Sequence, residues 1–407
     1  MAYYRRWLEG ALSRATSRGK VRLLLGARQT GKSSLLRALL PKDTLHIDLQ
    51  DPRTRVRYER SSGVLVDELD VRKEKRLVVC IDEIQKVPAL LDDVQLLHDR
   101  APKRWQFFLT GSSARRLRLG AANLLPGRVH LYPLSPIIEA ERAGFAHSEV
   151  TPRLAPSAPP RFPPQPLDER LVWGSLPGIQ LEPLGRRSAT LSAYSELYLE
   201  EEIRREAVVR DVGAFSRFLT LAALESGQTM NLTGLSQESG VPVATVRTFY
   251  QVLVDTFVGY WVPHYGRAGR KQILSTPRFV FFDPGVRNAA AELPLGRSLL
   301  KTQAGPLFEQ WMLAELIHRA SYLGRGHRVS FYRARSGAEV DAIFESPRED
   351  IPIEAKWTEN PRAADARHLE LFLNAYPKRA RRALLVCRAG SARRLTDRVT
   401  AVPWNAL

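Results

Sequence analysis

The sequence predicts an α/β chain of several domains: a parallel-sheet unit, a helical and winged-helix middle, and a C-terminal α/β unit. Three observations carry this. Residues 1–140 alternate apolar strand-like runs with helical patterns. Residues 26–33 read Gly-Ala-Arg-Gln-Thr-Gly-Lys-Ser, a complete phosphate loop. From Gly305 onward the patterns run helix, strand, strand, strand, helix, strand, with acids at regular places on the strands.

The phosphate loop is preceded by the apolar run Val21–Leu25 and followed by a helical stretch, Ser33–Leu40. That strand–loop–helix context is what the motif requires. Gly26 and Gly31 let the backbone curl, so that the N–H groups of Ala27, Arg28, Gln29, Thr30 and Ser34 surround phosphate oxygens at a helix N-terminus. Lys32 is expected to reach the β- and γ-phosphates of ATP, and Ser33 to hold Mg²⁺. Further strands are expected at Leu45–Leu49, Leu77–Ile81, Trp105–Leu109 and Val129–Tyr132.

The strand Leu77–Ile81 runs into Asp82 and Glu83. Asp82 is expected in the magnesium shell, and Glu83 as the general base for the attacking water. The run Phe107-Phe108-Leu109-Thr110-Gly111-Ser112-Ser113 is a buried strand ending in hydroxyls. Thr110 or Ser112 is a candidate for contact with the γ-phosphate or the water, and Ser113 reads as a turn cap. Among the arginines that follow, Arg128 in Leu-Pro-Gly-Arg-Val is the candidate arginine finger for a neighbouring subunit in a homo-oligomer.

Residues 151–166 hold seven prolines and read as an extended linker. The expected domains are therefore 1–145, a linker at 146–167, a helical region at 168–226, a winged helix at 227–300 and the α/β unit at 301–407. Helices are expected at Ser195–Arg210, at Leu232–Ser239 and at Val243–Val254. In the last, Val243, Val246, Tyr250 and Leu253 share an apolar face. Strands Phe257–Pro263 and Arg278–Phe282 would then flank a basic wing. Arg247, Thr248 and Gln251, with Arg267, Arg270 and Lys271 of the wing, are the DNA-contact candidates; docking to a protein is the alternative.

In the C-terminal unit, Asp341 lies midway along Ala338–Phe344. Alternation puts Glu354 and Lys356 on one face of Ile351–Trp357. An Asp with Glu-x-Lys on adjacent strands suits a metal-dependent nuclease. Its carboxylates bind Mg²⁺ or Mn²⁺, the lysine stabilises phosphate charge, and Glu309 completes the ligands.

The bulk numbers bound the function. With 407 residues, two to three domains are expected, and 44% apolar against 26% charged residues is ordinary for a globular protein. Lys and Arg number 61 against 43 Asp and Glu, a net charge of +18 that favours a polyanionic partner, DNA first. The two cysteines, Cys80 and Cys387, sit in apolar runs and read as buried thiols of a reducing compartment. No apolar run is long enough to span a membrane, and Glu9 interrupts any signal-like core, so the expected location is cytoplasmic. The eight histidines show no zinc-ligand spacing.

The motifs together resemble the prokaryotic AAA-type P-loop ATPases that carry a C-terminal region of unknown function. The segments are Gly-Ala-Arg-Gln-Thr-Gly-Lys-Ser, Ile-Asp-Glu-Ile-Gln-Lys-Val-Pro, Leu-Thr-Gly-Ser-Ser, Leu-Pro-Gly-Arg-Val, Trp-Gly-Ser-Leu-Pro-Gly, Phe-Phe-Asp-Pro-Gly, Gly-Pro-Leu-Phe-Glu-Gln and Glu-Val-Asp…Ile-Glu-Ala-Lys. The resemblance implies an additional-strand parallel sheet, a winged helix and a restriction-endonuclease-like PD-(D/E)XK domain. It carries ATPase roles to Lys32, Ser33, Asp82 and Glu83, and the nuclease-like motif to Asp341, Glu354 and Lys356. The chain departs from the pattern at Glu201-Glu202, where an Arg-Asp pair is usual. The function expected is an ATPase that processes duplex or branched DNA. Against it stand a regulatory ATPase switch whose C-terminal domain binds without cleaving, and a remodelling machine at an anionic membrane surface.

Overall fold

The computed structural model describes residues 3, 5–14, 19–61, 63–114, 117, 127–142, 165–199, 211–266, 276–334 and 337–407. They fall into two compact units, residues 1–135 with 255–257, and residues 136–254 with 258–407. Arg267, Arg270, Lys271, Glu201 and Glu202 lie outside the described residues, as does most of the proline segment.

The first unit is built on five strands: β1 (Val21–Leu25), β2 (Leu45–Asp48), β3 (Leu77–Asp82), β4 (Trp105–Gly111) and β5 (Val129–Pro133). Their order is β2-β3-β4-β1-β5, and every pairing is parallel. A parallel sheet is covered on both faces, so its central strands carry unbroken apolar runs instead of alternation. Leu23, Val79, Ile81, Phe107 and Leu109 are accordingly buried in one core with Leu65, Val66 and Leu69 and with Leu90, Leu91, Val94 and Leu97 of the helix Leu90–Arg100. That helix opens with Asp92 and Asp93 and closes with His98 and Arg100, charges that suit its dipole. All five strands fall where expected. β3 and β4 each run further, taking in Asp82 and Thr110, because their ladders continue past the apolar run.

The second unit begins with a helical region. Helices at Leu167–Trp173, Pro177–Leu181 and Leu184–Ala193 are followed by a π-helical segment, Tyr194–Leu199. The helix expected at Ser195–Arg210 is therefore already under way at Leu184, and residues 200–210 lie outside the description. Helices Val212–Leu224, Leu232–Ser239 and Val243–Asp255 come next, then an antiparallel pair, β6 (Gly259–Val262) and β7 (Arg278–Phe281). Gly240, at φ 71°, ends the second of these helices in the left-handed conformation. Val246, Tyr250 and Leu253 are buried as their spacing predicts, joined by Phe249 and Val252. Val243 is not: it stands exposed at the first turn, which lies beyond the reach of the core.

The C-terminal sheet has six strands: β8 (Arg328–Arg333), β9 (Glu339–Glu345), β10 (Asp350–Ala355), β11 (Ala383–Cys387), β12 (Arg393–Arg394) and β13 (Val399–Pro403). Their order is β12-β13-β11-β10-β9-β8, and the sheet is mixed. One core contains Phe308, Trp311, Met312 and Leu316 of the helix Leu300–Leu323 together with Phe331, Phe344 and Ile353. A second holds Leu369, Phe372 and Leu373 of the helix Arg367–Ala375 with Val340, Ile343 and Leu385. β12 and β13 were not anticipated. β12 is two exposed arginines, and β13 lies behind a polar turn. Among the described residues no helix is long and apolar enough to cross a membrane.

Two glycine motifs meet inside this unit. Gly174, at φ 73°, and Gly285 pack back to back around the buried Asp283. Asp283 caps the helix Pro284–Ala290, accepting from Val286 N–H at 3.1 Å, and also accepts from Ser175 N–H at 2.6 Å. Burial pushes its carboxyl up to about 6, against the pull of those N–H donors. A Cβ on Gly285 would lie 2.4 Å from the backbone C and O of Trp173, atoms that cannot rotate away. Gly285→Ala should therefore cost about 3 kcal/mol. Thermal unfolding followed by circular dichroism should show a midpoint lower by roughly 5–10 °C; an unchanged midpoint would mean that the junction yields.

Candidate active site

The phosphate loop leaves β1 at the C-terminal edge of the sheet. Gly26 N–H donates to Gly111 O at 3.2 Å, and a Cβ at Gly26 would lie 2.2 Å from Leu134 O, so only glycine fits. Gln29 at φ 61° and Gly31 at φ 94° supply the left-handed turns that aim successive N–H groups inward. No side chain caps the helix Lys32–Leu39 at Gly31, which leaves its first-turn N–H groups for an anion. Thr30 Oγ1 donates to Ala27 O at 2.9 Å and stiffens the curl. Lys32 is buried, and its Nζ donates to Gly26 O at 2.9 Å and to Ala27 O at 3.0 Å. Arg28 is half-buried, and Ser34 is exposed on the helix.

A residue that sequence reasoning missed braces the loop. The buried Arg6 donates to Thr30 O at 3.1 Å and to Ser135 O at 2.8 Å, and Glu9 accepts from its N–H at 2.7 Å. Its partners are distant in sequence, so no local pattern marks it.

The two acids follow on β3. Ser33 Oγ donates to Asp82 Oδ2 at 2.6 Å, joining the loop to the acid strand. Thr110 Oγ1 donates to Asp82 Oδ1 and accepts from Glu83 N–H at 2.9 Å. Thr110 thus ties both acids to β4. Glu83 takes the left-handed conformation, φ 59°, a cost tolerated where the fold over-determines it. Its Oε2 accepts from Ser112 Oγ at 2.8 Å and from Gln85 Nε2, and its Oε1 lies 4.0 Å from Lys32 Nζ. Burial alone would raise the Glu83 pKa. Lys32, the Ser112 and Gln85 donors and Arg28 outweigh it and hold the carboxyl ionised, below its ordinary value. Gln85 was not anticipated, although it lies in the distinctive Ile-Gln-Lys-Val-Pro run.

Beside the Ser33–Asp82 pair lies a pocket of ≈ 270 Å³, lined also by Arg37, His46, Asp48 and Cys80. The Cys80 thiol is pushed up to about 12 by burial and by Asp82, so it is inert. Arg128 precedes β5, at the sheet edge opposite the phosphate loop, and pairs with Asp99 at 2.5 Å. Its carbonyl accepts from Val21 N–H at 2.8 Å, at the start of β1, whereas the loop follows the end of that strand.

In the second unit, the register that pairs Ile353 with Ala342 brings Glu354 opposite Asp341. Asp341 Oδ2 accepts from Ala355 N–H at 2.9 Å. Burial raises the pKa of Glu354 to about 8 and that of Glu309 to about 7, and in both the Asp341 charge adds to it. Lys356 lies just past β10, half exposed, and pairs with Asp365 at 3.6 Å, while still drawing the Glu354 pKa down. Among the described residues no three His, Cys, Asp or Glu side chains are grouped to hold an ion. Glu309 is instead bonded to Arg278 at 3.1 Å. The buried Arg278 guanidinium also pairs with Glu339 and lies 4.5 Å above the Phe331 ring. Arg278, Glu309, Glu339, Asp341 and Arg333 line a cavity of ≈ 750 Å³. The ion pairs of Arg278 were not anticipated, since β7 and β9 are far apart in sequence.

On the helix Val243–Asp255, Arg247 and Gln251 are exposed and Thr248 half-buried, its hydroxyl donating to Ala244 O at 3.0 Å. The loop geometry generates a direct test. Gly26→Ala should lower affinity for a fluorescent ATP analogue at least about tenfold, because the displaced loop no longer aims its N–H groups, while circular dichroism stays unchanged. Wild-type affinity would show that the loop accommodates a methyl group.

Residues 18–142 match the family described as an AAA domain; residues 164–297 and 304–407 match two families described as domains of unknown function, DUF8612 and DUF4143. Uncharacterized proteins of Mycobacterium tuberculosis and Mycobacterium bovis are each 24% identical over 366 residues, covering 89% of this chain and 76% of theirs. A DNA polymerase III gamma subunit-related protein of Thermotoga maritima overlaps 61% of this chain and 97% of its own, at 11% identity and a TM-score of 0.24. PCH-2 of C. elegans overlaps 59% and 65%, at 15% identity and a TM-score of 0.23. Overlaps of that size bear on neither fold nor function. The AAA match covers the phosphate loop and both acids, and two domains of unknown function follow it.

Proposed function

We propose that this chain hydrolyses ATP in order to act on DNA. The observation that carries the first half is the hydrogen-bonded path Ser33–Asp82–Thr110–Glu83, which ties the phosphate loop to both acids. Ser33 and Asp82 offer the hard oxygen donors that Mg²⁺ prefers. Lys32 leaves the loop carbonyls for the phosphates, and Glu83 takes the proton of the attacking water. In a homo-oligomer Arg128 would leave Asp99 to serve a neighbour's nucleotide.

The DNA half is supported by the net charge of +18 and by the helix–helix–hairpin order of a winged helix, with Arg247, Thr248 and Gln251 on the second helix. The neighbouring Asp341 and Glu354 support a nuclease-like C-terminal domain that takes Mg²⁺ or Mn²⁺ together with a DNA phosphate, with Glu309 and Lys356 beside them. A second reading has its own observation. Arg278 already neutralises Glu309 and Glu339, which favours a regulatory switch whose C-terminal domain binds without cleaving.

Lys32→Ala should lose both nucleotide binding and turnover, whereas Glu83→Gln should bind ATP and leave it uncleaved. Filter binding and phosphate release measure the two, and full turnover by Glu83→Gln would mean that the base lies elsewhere. For DNA, affinity should fall steeply with salt, and Arg247→Ala should flatten the log–log slope by about one unit if that side chain meets a phosphate. With Mn²⁺, cleavage of duplex or branched DNA that disappears in Asp341→Asn, with ATPase activity intact, would establish the nuclease. DNA binding without cleavage would establish the second reading.

A further inference from the structure

The Ile84-Gln85-Lys86-Val87-Pro88 run holds a glutamine that is 3% exposed, yet a buried amide has no place there unless something requires it. Gln85 Nε2 donates both to Glu83 Oε2 and to Ser112 Oγ, the latter at 2.9 Å. Ser112 Oγ in turn donates to the same Glu83 Oε2 at 2.8 Å. The three side chains close a triangle in which one carboxylate oxygen takes two donors. Its other oxygen, Oε1, lies 4.0 Å from the Lys32 ammonium. The triangle is built tightly. A Cβ on Gly111 would come within 3.1 Å of Gln85 Oε1 and of Leu25 Cδ2, so the residue between Thr110 and Ser112 must stay small.

We propose that Gln85 and Ser112 are positioning residues for ATP hydrolysis, a clamp that holds Glu83 by Oε2 and presents Oε1 to the attacking water. This rests on the reading of Glu83 as the general base. When Lys32 turns to the phosphates, Oε1 is the atom left to accept. A water proton passes to Oε1 while the water oxygen bonds to the γ-phosphorus, and the bond from that phosphorus to the bridging oxygen of ADP breaks, its electron pair staying with ADP. A carboxylate free to rotate would spend much of its time with neither oxygen aligned, and misplacement of about 1 Å can cost roughly a hundredfold in rate. Gln85 Oε1 accepts no hydrogen bond among the described residues, an expense that mere satisfaction of a buried amide does not explain.

The full chain with ATP and Mg²⁺ tests this. Gln85→Met, similar in shape, should lower kcat roughly 30- to 100-fold, and Ser112→Ala roughly tenfold. KM and the affinity for a fluorescent ATP analogue should stay within about threefold, because both residues act through the Glu83 carboxylate. Ser112→Thr, which restores the hydroxyl, should recover most of the lost rate. A wild-type kcat in Gln85→Met and Ser112→Ala overturns the clamp, and so does a fall in kcat matched by an equal loss of nucleotide affinity. Should Gln85→Met fail to fold, Ser112→Ala and its threonine rescue decide alone. If wild type turns over ATP and Glu83→Gln does not, those results concern the clamp alone; if wild type is inactive with every DNA and metal tried, both readings fall.

Discussion

The insertion of β4 between β1 and β3 is the constraint on which the ATPase half depends. It places the last turn of β4 directly between the phosphate loop and the acid strand. From there Thr110 reaches Asp82 and the Glu83 amide, Ser112 reaches the Glu83 carboxylate, and Gly111 O receives the Gly26 N–H. Three consecutive residues therefore hold the loop and both acids in one frame. Their burial keeps water from competing, so each hydrogen bond is stronger than it would be at the surface.

The second unit solves a different electrostatic problem. Asp341, Glu354, Glu309 and Glu339 crowd the end of the mixed sheet, and burial already disfavours the charge of the first three. The response is Arg278, brought in on β7 to pair with two of them and stack on Phe331. A buried guanidinium with two carboxylate partners is expensive to remove, since it leaves uncompensated charge behind. The hairpin and the C-terminal sheet are thereby pinned at one polar point, and whatever loosens β7 also changes the charge on the acids.

Much of the ATPase site was legible in the sequence because its chemistry is local. Gly26 to Ser33 and Asp82-Glu83 each signal within a few residues, and their flanking apolar runs fix the strands. Thr110 was legible as a site residue but not in its role, because the direction of a hydroxyl depends on which strand lies alongside. Arg6 and Arg278 left no trace, since their partners lie 24 to 129 residues away for the first and 31 to 61 for the second. Asp341 and Glu354 were legible as neighbours from strand alternation; that Arg278 would stand with Glu309 was not. The exposure of Val243 marks the limit of periodicity, which shows a face but not how far the covering core extends.

The junction of Gly174, Asp283 and Gly285 has a consequence for how the chain acquires its structure. Its two sides are separated by 108 residues between Ser175 and Asp283. The ribosome must therefore release the whole helical middle before the aspartate can find its amides. Until then the helix Leu167–Trp173 has lost the neighbour against which it packs, and its apolar residues Leu171 and Val172 stay open to other surfaces. Closing so long a loop costs little more entropy than closing a shorter one, but it delays every contact that depends on it. The nascent protein is thus committed to a late assembly step, and chaperone engagement belongs in the interval before Asp283 emerges.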